Sequence, residues 1–259
     1  MRTFYRLVCI LFSTAIIFSG CTWEEHEVNG HGGKVKLLKT GIVVNQGEPN
    51  LSFAPITYEY DAQDRVTKWI ATSDANTLVS TFTYNSVGDL VMIDASDGTT
   101  HTLNTYSKNG NIIIHTREWL RISDGSLLFK ETYTFELNAE DLLVKIISHS
   151  NNNYDLYEYQ NGNVTKITRS DGNKIYATNI YTYDNKKNPL LYCKRPKWFM
   201  GTQKNNVTSI QMTNENISGL NMSMDFVYTY DNDGFPVTVT VSERGKTGTS
   251  TATYTYIIK

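Results

Sequence analysis

Three cations and three aromatics fall together in Tyr192-Cys193-Lys194-Arg195-Pro196-Lys197-Trp198-Phe199-Met200. A flat aromatic face beside positive charge suits a sugar ring or an acidic partner. Lys194, Arg195, Lys197, Trp198 and Phe199 are therefore the candidate ligand-binding residues. The competing reading is a loop whose Trp198 and Phe199 cover one end of a sheet. If the cluster is a glycan site, Trp198→Ala should abolish retention on a polysaccharide column and leave the melting temperature unchanged. A second stretch, His115-Thr116-Arg117-Glu118-Trp119, alternates like a strand and reads as structural.

Catalytic motifs are missing elsewhere. The five histidines, at 26, 31, 101, 115 and 149, form no His-Glu-x-x-His, and no Cys pair has metal spacing. There is no Gly-x-Ser-x-Gly elbow. Gly245-Lys246-Thr247 lacks the earlier glycine of a phosphate loop, because residue 240 is Thr. Asp231-Asn232-Asp233-Gly234 has Ser242 where a calcium loop needs its distal Glu, so it reads as a turn. The expectation is a protein without cofactor, metal or catalytic residue. A glycan hydrolase using two carboxylates converging across strands is a remote alternative.

The N-terminus reads as an address. Arg2 and Arg6 precede an apolar stretch from Leu7 to Phe18, too short to span a membrane, which needs about 20 residues. It ends in Phe18-Ser19-Gly20-Cys21, which resembles the lipobox of bacterial lipoproteins, with Phe18 in place of the usual Leu. The resemblance implies cleavage before Cys21 and acylation of that residue, a membrane anchor. Thr22-Trp23-Glu24-Glu25-His26-Glu27 resembles the acidic surface-export signal of Bacteroidetes lipoproteins. The expected location is the outer membrane, facing the cell surface, with a periplasmic orientation as the alternative.

Cleavage removes two Arg from 24 Lys+Arg and none of 26 Asp+Glu, so the mature charge is 22 minus 26, or −4. A mildly acidic chain with no basic stripe is not expected to bind nucleic acid. Only Cys193 stays as a free thiol, so no intramolecular disulfide framework exists.

These side chains must be positioned by a repeat. The second aromatic of a Tyr-x-Tyr-like unit falls at 60, 84, 106, 135, 159, 183, 230 and 256. The period is about 24 residues, and the step of 47 after 183 reads as two periods with a degraded copy between. Asp/Asn-x-x-Gly, Asp/Asn-x-x-Asp or Asn-Gly turns follow most units, and Ser-Asp-Gly turns recur half a period later, at 96–98, 123–125 and 170–172. Each period thus reads strand, turn, strand, turn, with neighbours antiparallel. The composition agrees: 17 Tyr, 24 Asn, 12% aromatic and only 19% charged residues exclude disorder and helical repeats.

The expected fold is all-β, an antiparallel up-and-down meander of about 16 strands of roughly 6–9 residues, either curled open or barrel-like. Leu90 and Ile93, Leu143 and Ile146, and Val164 and Ile167 are spaced by three. That points to opposite faces unless a bulge intervenes. The expected organisation is a signal over 1–20, a tether over 21–34 and one repeat domain over 35–259. A transmembrane barrel is disfavoured by short strands and polar residues on both faces.

Tyr60-Asp61-Ala62-Gln63-Asp64-Arg65-Val66 resembles the tyrosine–aspartate (YD) repeats of bacterial Rhs proteins. Tyr181-Thr182-Tyr183-Asp184-Asn185-Lys186-Lys187-Asn188-Pro189-Leu190 is similar to a motif of Bacteroidetes lipoproteins known only as a domain of unknown function, number 4595. Rhs shells enclose a toxin with many more repeats, so the enclosing role does not carry over. The resemblance implies location and fold, not chemistry. The functional expectation is a non-catalytic envelope lipoprotein binding a glycan or a protein, with an envelope scaffold or assembly factor as the alternative.

Overall fold

The computed structural model describes residues 35–45, 52–72, 77–190, 192–199, 203–215 and 221–259. The signal, Cys21 and the tether lie outside these residues, as does Met200. The strands are β1 (Lys36–Asn45), β2 (Ser52–Tyr60), β3 (Val66–Thr72), β4 (Thr77–Tyr84), β5 (Leu90–Ser96) and β6 (Thr100–Asn109). They continue with β7 (Ile112–Arg121), β8 (Leu127–Leu137), β9 (Leu143–Ser148), β10 (Tyr154–Gln160), β11 (Asn163–Ser170) and β12 (Ile175–Tyr183). The last are β13 (Val207–Asn214), β14 (Met222–Tyr230), β15 (Pro236–Glu243), β16 (Thr249–Thr253) and β17 (Thr255–Ile258).

All pairings are antiparallel, and consecutive strands pair from β1 through β16. β16 and β17 are two halves of one strand broken at Tyr254: β16 pairs with β15 and β17 with β1. The sheet therefore returns on itself as a nearly closed barrel. Strand lengths run from 4 to 11 residues, wider than the expected range. Length thus does not exclude a membrane barrel, but the outer surface is the wrong solvent match. Glu59–Lys68, Glu118–Lys130, Glu136–Lys145 and Glu158–Lys166 are cross-strand ion pairs on the outer face. Hydroxyl pairs such as Thr229–Thr238 and Thr240–Thr251 share it. A lipid-facing barrel needs an apolar band there, about 25 Å tall.

A bulge recurs beside the second aromatic and settles the spacing of three. Tyr60 opposes Val66 while Glu59 opposes Lys68, so one extra residue sits on β3. The same shift accompanies Tyr84, Leu137, Tyr159, Tyr183 and Tyr230. The extra residue returns the apolar pair to one face. Leu90 with Ile93, and Val164 with Ile167, are accordingly all buried inside rather than on opposite faces.

Turn chemistry explains the repeat signature. The Asp61 carboxylate accepts the N–H groups of Gln63 and Arg65, at 2.9 Å each, and Asn85, Asn138 and Asp231 do the same in their turns. The fourth turn residue has positive φ: Asp64 (64°), Gly88 (95°), Asp141 (61°) and Gly234 (81°). Glycine or Asp recurs there because few other residues tolerate that backbone.

The second tyrosine of a unit reaches the neighbouring bulge. Tyr60, Tyr84, Tyr159, Tyr183 and Tyr256 donate from their hydroxyls to the carbonyls of Leu38, Val66, Leu143, Val164 and Pro236, at 2.5–2.9 Å. Each acceptor belongs to the residue at a bulge that opposes the last residue before the preceding unit's turn, an aromatic in every case except Leu137 opposite Leu143.

The 47-residue step is not two periods. β12 pairs directly with β13, and the Asp184 N–H donates to the Asn206 carbonyl as Asp61 does to that of Arg65. The step is one period whose turn has been opened by an insertion between Asp184 and Asn206.

Candidate functional site

The insertion folds back into the end of the barrel where the Tyr-x-Tyr units lie, and it carries the candidate residues with it. Trp198 is 2% exposed. Its indole packs 5.2 Å from Tyr106 and 6.3 Å from Phe135 (ring centroids). Phe199 meets Phe82 at 5.8 Å and Trp198 at 6.0 Å, both edge-on. Arg195 is buried close to Tyr58, Tyr84 and Cys193. The Lys194 N–H donates to the Asp64 carbonyl, and Lys194 forms a bridge with Arg65. Lys194 and Lys197 are half-buried. Burial pushes the Cys193 thiol up, and the Tyr60 hydroxyl lies 3.1 Å from its sulfur. The structure thus brings the five residues together in a plug and leaves the indole no open face on which a sugar could stack.

Two groups of polar side chains lie on the inner wall. Residues in phase with the inward tyrosines point inside, so register places the members of each group side by side. On β6 and β7, His115 stacks between Tyr106 (4.7 Å, 11°) and Tyr133 (5.5 Å, 20°). Its Nε2 lies 3.0 Å from the side-chain Oδ1 of Asn104, which also accepts from Arg117 Nε at 3.1 Å. Burial holds the His115 imidazole well below its usual pKa, and the Arg117 charge adds to this, so the ring is neutral at pH 7. The Arg117 guanidinium covers the Trp119 ring at 5.2 Å, and the Tyr133 hydroxyl donates to Glu131. The stretch at 115–119 thus alternates as a strand, with His115, Arg117 and Trp119 facing inward.

Two strands further on, Phe135 opposes Ile146, Ile146 opposes Asp155, and Asp155 opposes Arg169. Asp155 Oδ2 lies 3.3 Å from Arg169 Nε, and both side chains keep 24% of their surface accessible. Burial raises the Asp155 carboxyl, against the opposing pull of Arg169. Burial would lower Arg169, but Asp155 and the nearby Tyr157, Tyr181 and Tyr176 reverse the sign and raise it. Tyr181 is buried with its hydroxyl accepting from Asn179 Nδ2 at 3.2 Å, while Tyr157 is half-buried. The pair sits inside the barrel and is still reached by solvent. Among the described residues no cluster of three His, Cys, Asp or Glu could hold a metal ion.

Sequence reasoning missed Asp155 and Arg169. A signal existed: Asp155 is in phase with Tyr157 and Tyr159, and Arg169 is two residues from the inward Ile167. A charged residue in phase with a buried aromatic ladder marks an interior polar group.

No family model and no curated protein matches this chain. Among solved structures it is similar to a porin-like protein from Bacteroides uniformis, with 18% identity and a TM-score of 0.49, over 87% of this chain and 96% of that one. A porin-like protein from Bacteroides vulgatus aligns with 13% identity and a TM-score of 0.41, over 85% and 99% of the two chains. A TcdB2-TccC3-Cdc42 structure aligns with 12% identity and a TM-score of 0.28, over 83% of this chain and 14% of that one.

Proposed function

We propose that this chain is a non-catalytic binding module of a bacterial cell envelope, anchored through acylated Cys21, that takes a ligand against the inner wall of its barrel. The observation that carries the reading is the Asp155–Arg169 pair: charged, inward-facing, set among tyrosines and accessible to solvent. Interiors of barrels this size hold ligands when side chains do not fill them. The lipobox supports the anchor. The tether would leave the barrel at the plugged end, because Val35 and Lys36 lie beside the Asp231–Phe235 turn and the C-terminus.

A melting-temperature screen of the mature chain tests the reading, using oligosaccharide and short-peptide panels. At least one compound should raise the wild-type melting temperature and leave the Asp155→Ala/Arg169→Met double variant unmoved. Equal shifts in both proteins, or none in either, would sink it. Protease treatment of intact cells tests the location: digestion places the domain outside the cell, survival until lysis places it in the periplasm.

One observation favours the scaffold alternative. The β7–β8 hairpin ends in exposed apolar residues, Ile122, Leu127, Leu128 and Phe129, with Leu127 56% accessible. A crosslinked partner lost in Leu127→Ser/Phe129→Ser would move that reading ahead.

A further inference from the structure

The geometry points to the Asp155–Arg169 pair as the anchor for a neutral vicinal diol, which makes an uncharged saccharide the ligand class. This rests on the interior-binding reading and narrows it.

A guanidinium carries five N–H donors in a planar fork, and a carboxylate offers about four lone-pair sites. Charged groups in a barrel wall normally use that capacity, as Arg65 does with the Asp61 carboxylate at 2.7 Å and Arg117 with Asn104 at 3.1 Å. Arg169 does not. Its Nε faces Asp155 at 3.3 Å but off the hydrogen-bonding line, and is buried with no aligned partner among the described residues. Asp155 has no partner among the described residues other than Arg169. Two strongly polar groups thus stand side by side inside the sheet with their hydrogen-bonding capacity open. Solvent reaches both groups, so a ligand that displaces it must match those hydrogen bonds, and one that does so keeps its affinity.

The arrangement selects among ligands. Adjacent hydroxyls of a sugar match it directly: one accepts from an Arg169 Nη, the other donates to an Asp155 oxygen. The half-buried Tyr157 and the Tyr176 ring near Arg169 add apolar surface beside the pair. A phosphate or a uronate would set its negative charge against the Asp155 carboxylate, which already neutralises Arg169. That like-charge contact disfavours anions at this position.

The test is calorimetric titration of the mature full-length chain with neutral oligosaccharides (glucan, mannan and xylan fragments), with oligogalacturonate and with inorganic phosphate. The expected result is binding of a neutral fragment, with at least a tenfold rise in Kd in Asp155→Asn and in Arg169→Met, about 1.4 kcal/mol. Arg169→Lys keeps the charge and loses the fork, so it should weaken binding similarly and guards against a Met variant that fails to fold. Disrupting the exposed Arg244–Asp225 pair, with contacts of 2.6 and 2.7 Å, should leave Kd unchanged. Three results overturn the inference. Oligogalacturonate or phosphate binding more tightly than every neutral fragment, with loss in Arg169→Met, makes the pair an anion site and leaves interior binding standing. A neutral fragment that binds all variants equally moves the saccharide elsewhere. No saccharide binding at all, with peptides active in the melting screen, removes the diol and leaves only the wider reading.

Discussion

Replacing Tyr183 by Phe should isolate what the tyrosine-to-bulge hydrogen bond contributes. The Tyr183 hydroxyl donates to the Val164 carbonyl at 2.5 Å, and Val164 is buried. At the bulge beside Tyr159 the ladder is interrupted, so this carbonyl depends on the hydroxyl. Removing the hydroxyl leaves the acceptor desolvated and unpaired, at a cost of about 1–3 kcal/mol. For a domain of this size that is roughly 2–4 °C in melting temperature per kcal/mol. Tyr84→Phe removes the equivalent bond to Val66, at 2.9 Å, in the other half of the barrel. The two losses should add within about 0.5 kcal/mol. Tyr58→Phe is the control, because the Tyr58 hydroxyl is buried without a hydrogen-bond partner among the described residues. Losing an unsatisfied polar atom should leave stability unchanged or higher. Urea unfolding of the mature chain, with m-values compared, measures wild type, the three single variants and the Tyr84→Phe/Tyr183→Phe double variant. The reasoning is refuted if Tyr183→Phe stays within about 0.5 kcal/mol of wild type, or if Tyr58→Phe loses as much as Tyr183→Phe.

Trp198→Ala should destabilise by about 3–5 kcal/mol, because it empties a packed site between Tyr106 and Phe135; calorimetry showing an unchanged melting temperature would restore the surface-site expectation. Alkaline stability should fall from about pH 10 upward. Burial pushes Tyr84 up to about 12, against Arg195 and Arg65, and raises Tyr58, Tyr106 and Tyr181 beyond it. The folded chain keeps these protons where the unfolded chain loses them, so stability is complete below pH 10 and is lost as pH rises. Tyrosinate absorbance should therefore appear together with loss of circular dichroism; ionisation at pH 10 in a folded chain would contradict this. Gly88→Ala should cost about 1–2 kcal/mol through backbone strain alone, since the nearest atom to an added Cβ, Arg65 Nη1, is 3.8 Å away. Gly88→Asp should lose less in the same urea titration, because Asp64 and Asp141 hold equivalent positions.

The fold was legible in the residues that repeat for a local reason. Asp61, Asn85, Asn138 and Asp231 accept hydrogen bonds within their own turns, so each leaves a signature independent of the rest of the chain. The bulges were legible only as the odd spacing of Leu90 and Ile93, which the pairing register explains. The insertion was misread because Asn205-Asn206-Val207 does match the second half of a unit; the first half is β12 itself, across 21 intervening residues. Trp198 was ambiguous for a physical reason. An indole beside cations has the same composition whether it faces water or plugs a barrel, and the distinction lies in contacts with Tyr106 and Phe135, which are distant in sequence. The interior charges depend on the same long-range closure, since Asp155 and Arg169 become a site only when the sheet curls around them.

Closure has its own logic. Seven hairpins at the plugged end are continuous in sequence, and the eighth is split between the chain termini. Tyr256 opposes Leu38 at a bulge as Tyr60 opposes Val66, and Val35 exchanges backbone hydrogen bonds with Lys259 at 2.8 and 2.9 Å. Lys36 fastens this seam: its ammonium contacts Asp231 at 2.5 Å and Asp233 at 3.1 Å, and lies 5.2 Å from the Phe235 and Tyr256 rings. Burial would lower the Lys36 pKa, but the two carboxylates outweigh it and raise it. The seam joins strands at opposite ends of the sequence, so its loop-closure entropy is recovered only after the intervening units have formed. The closure of the wall thus carries its largest entropic cost at the place where the two termini meet.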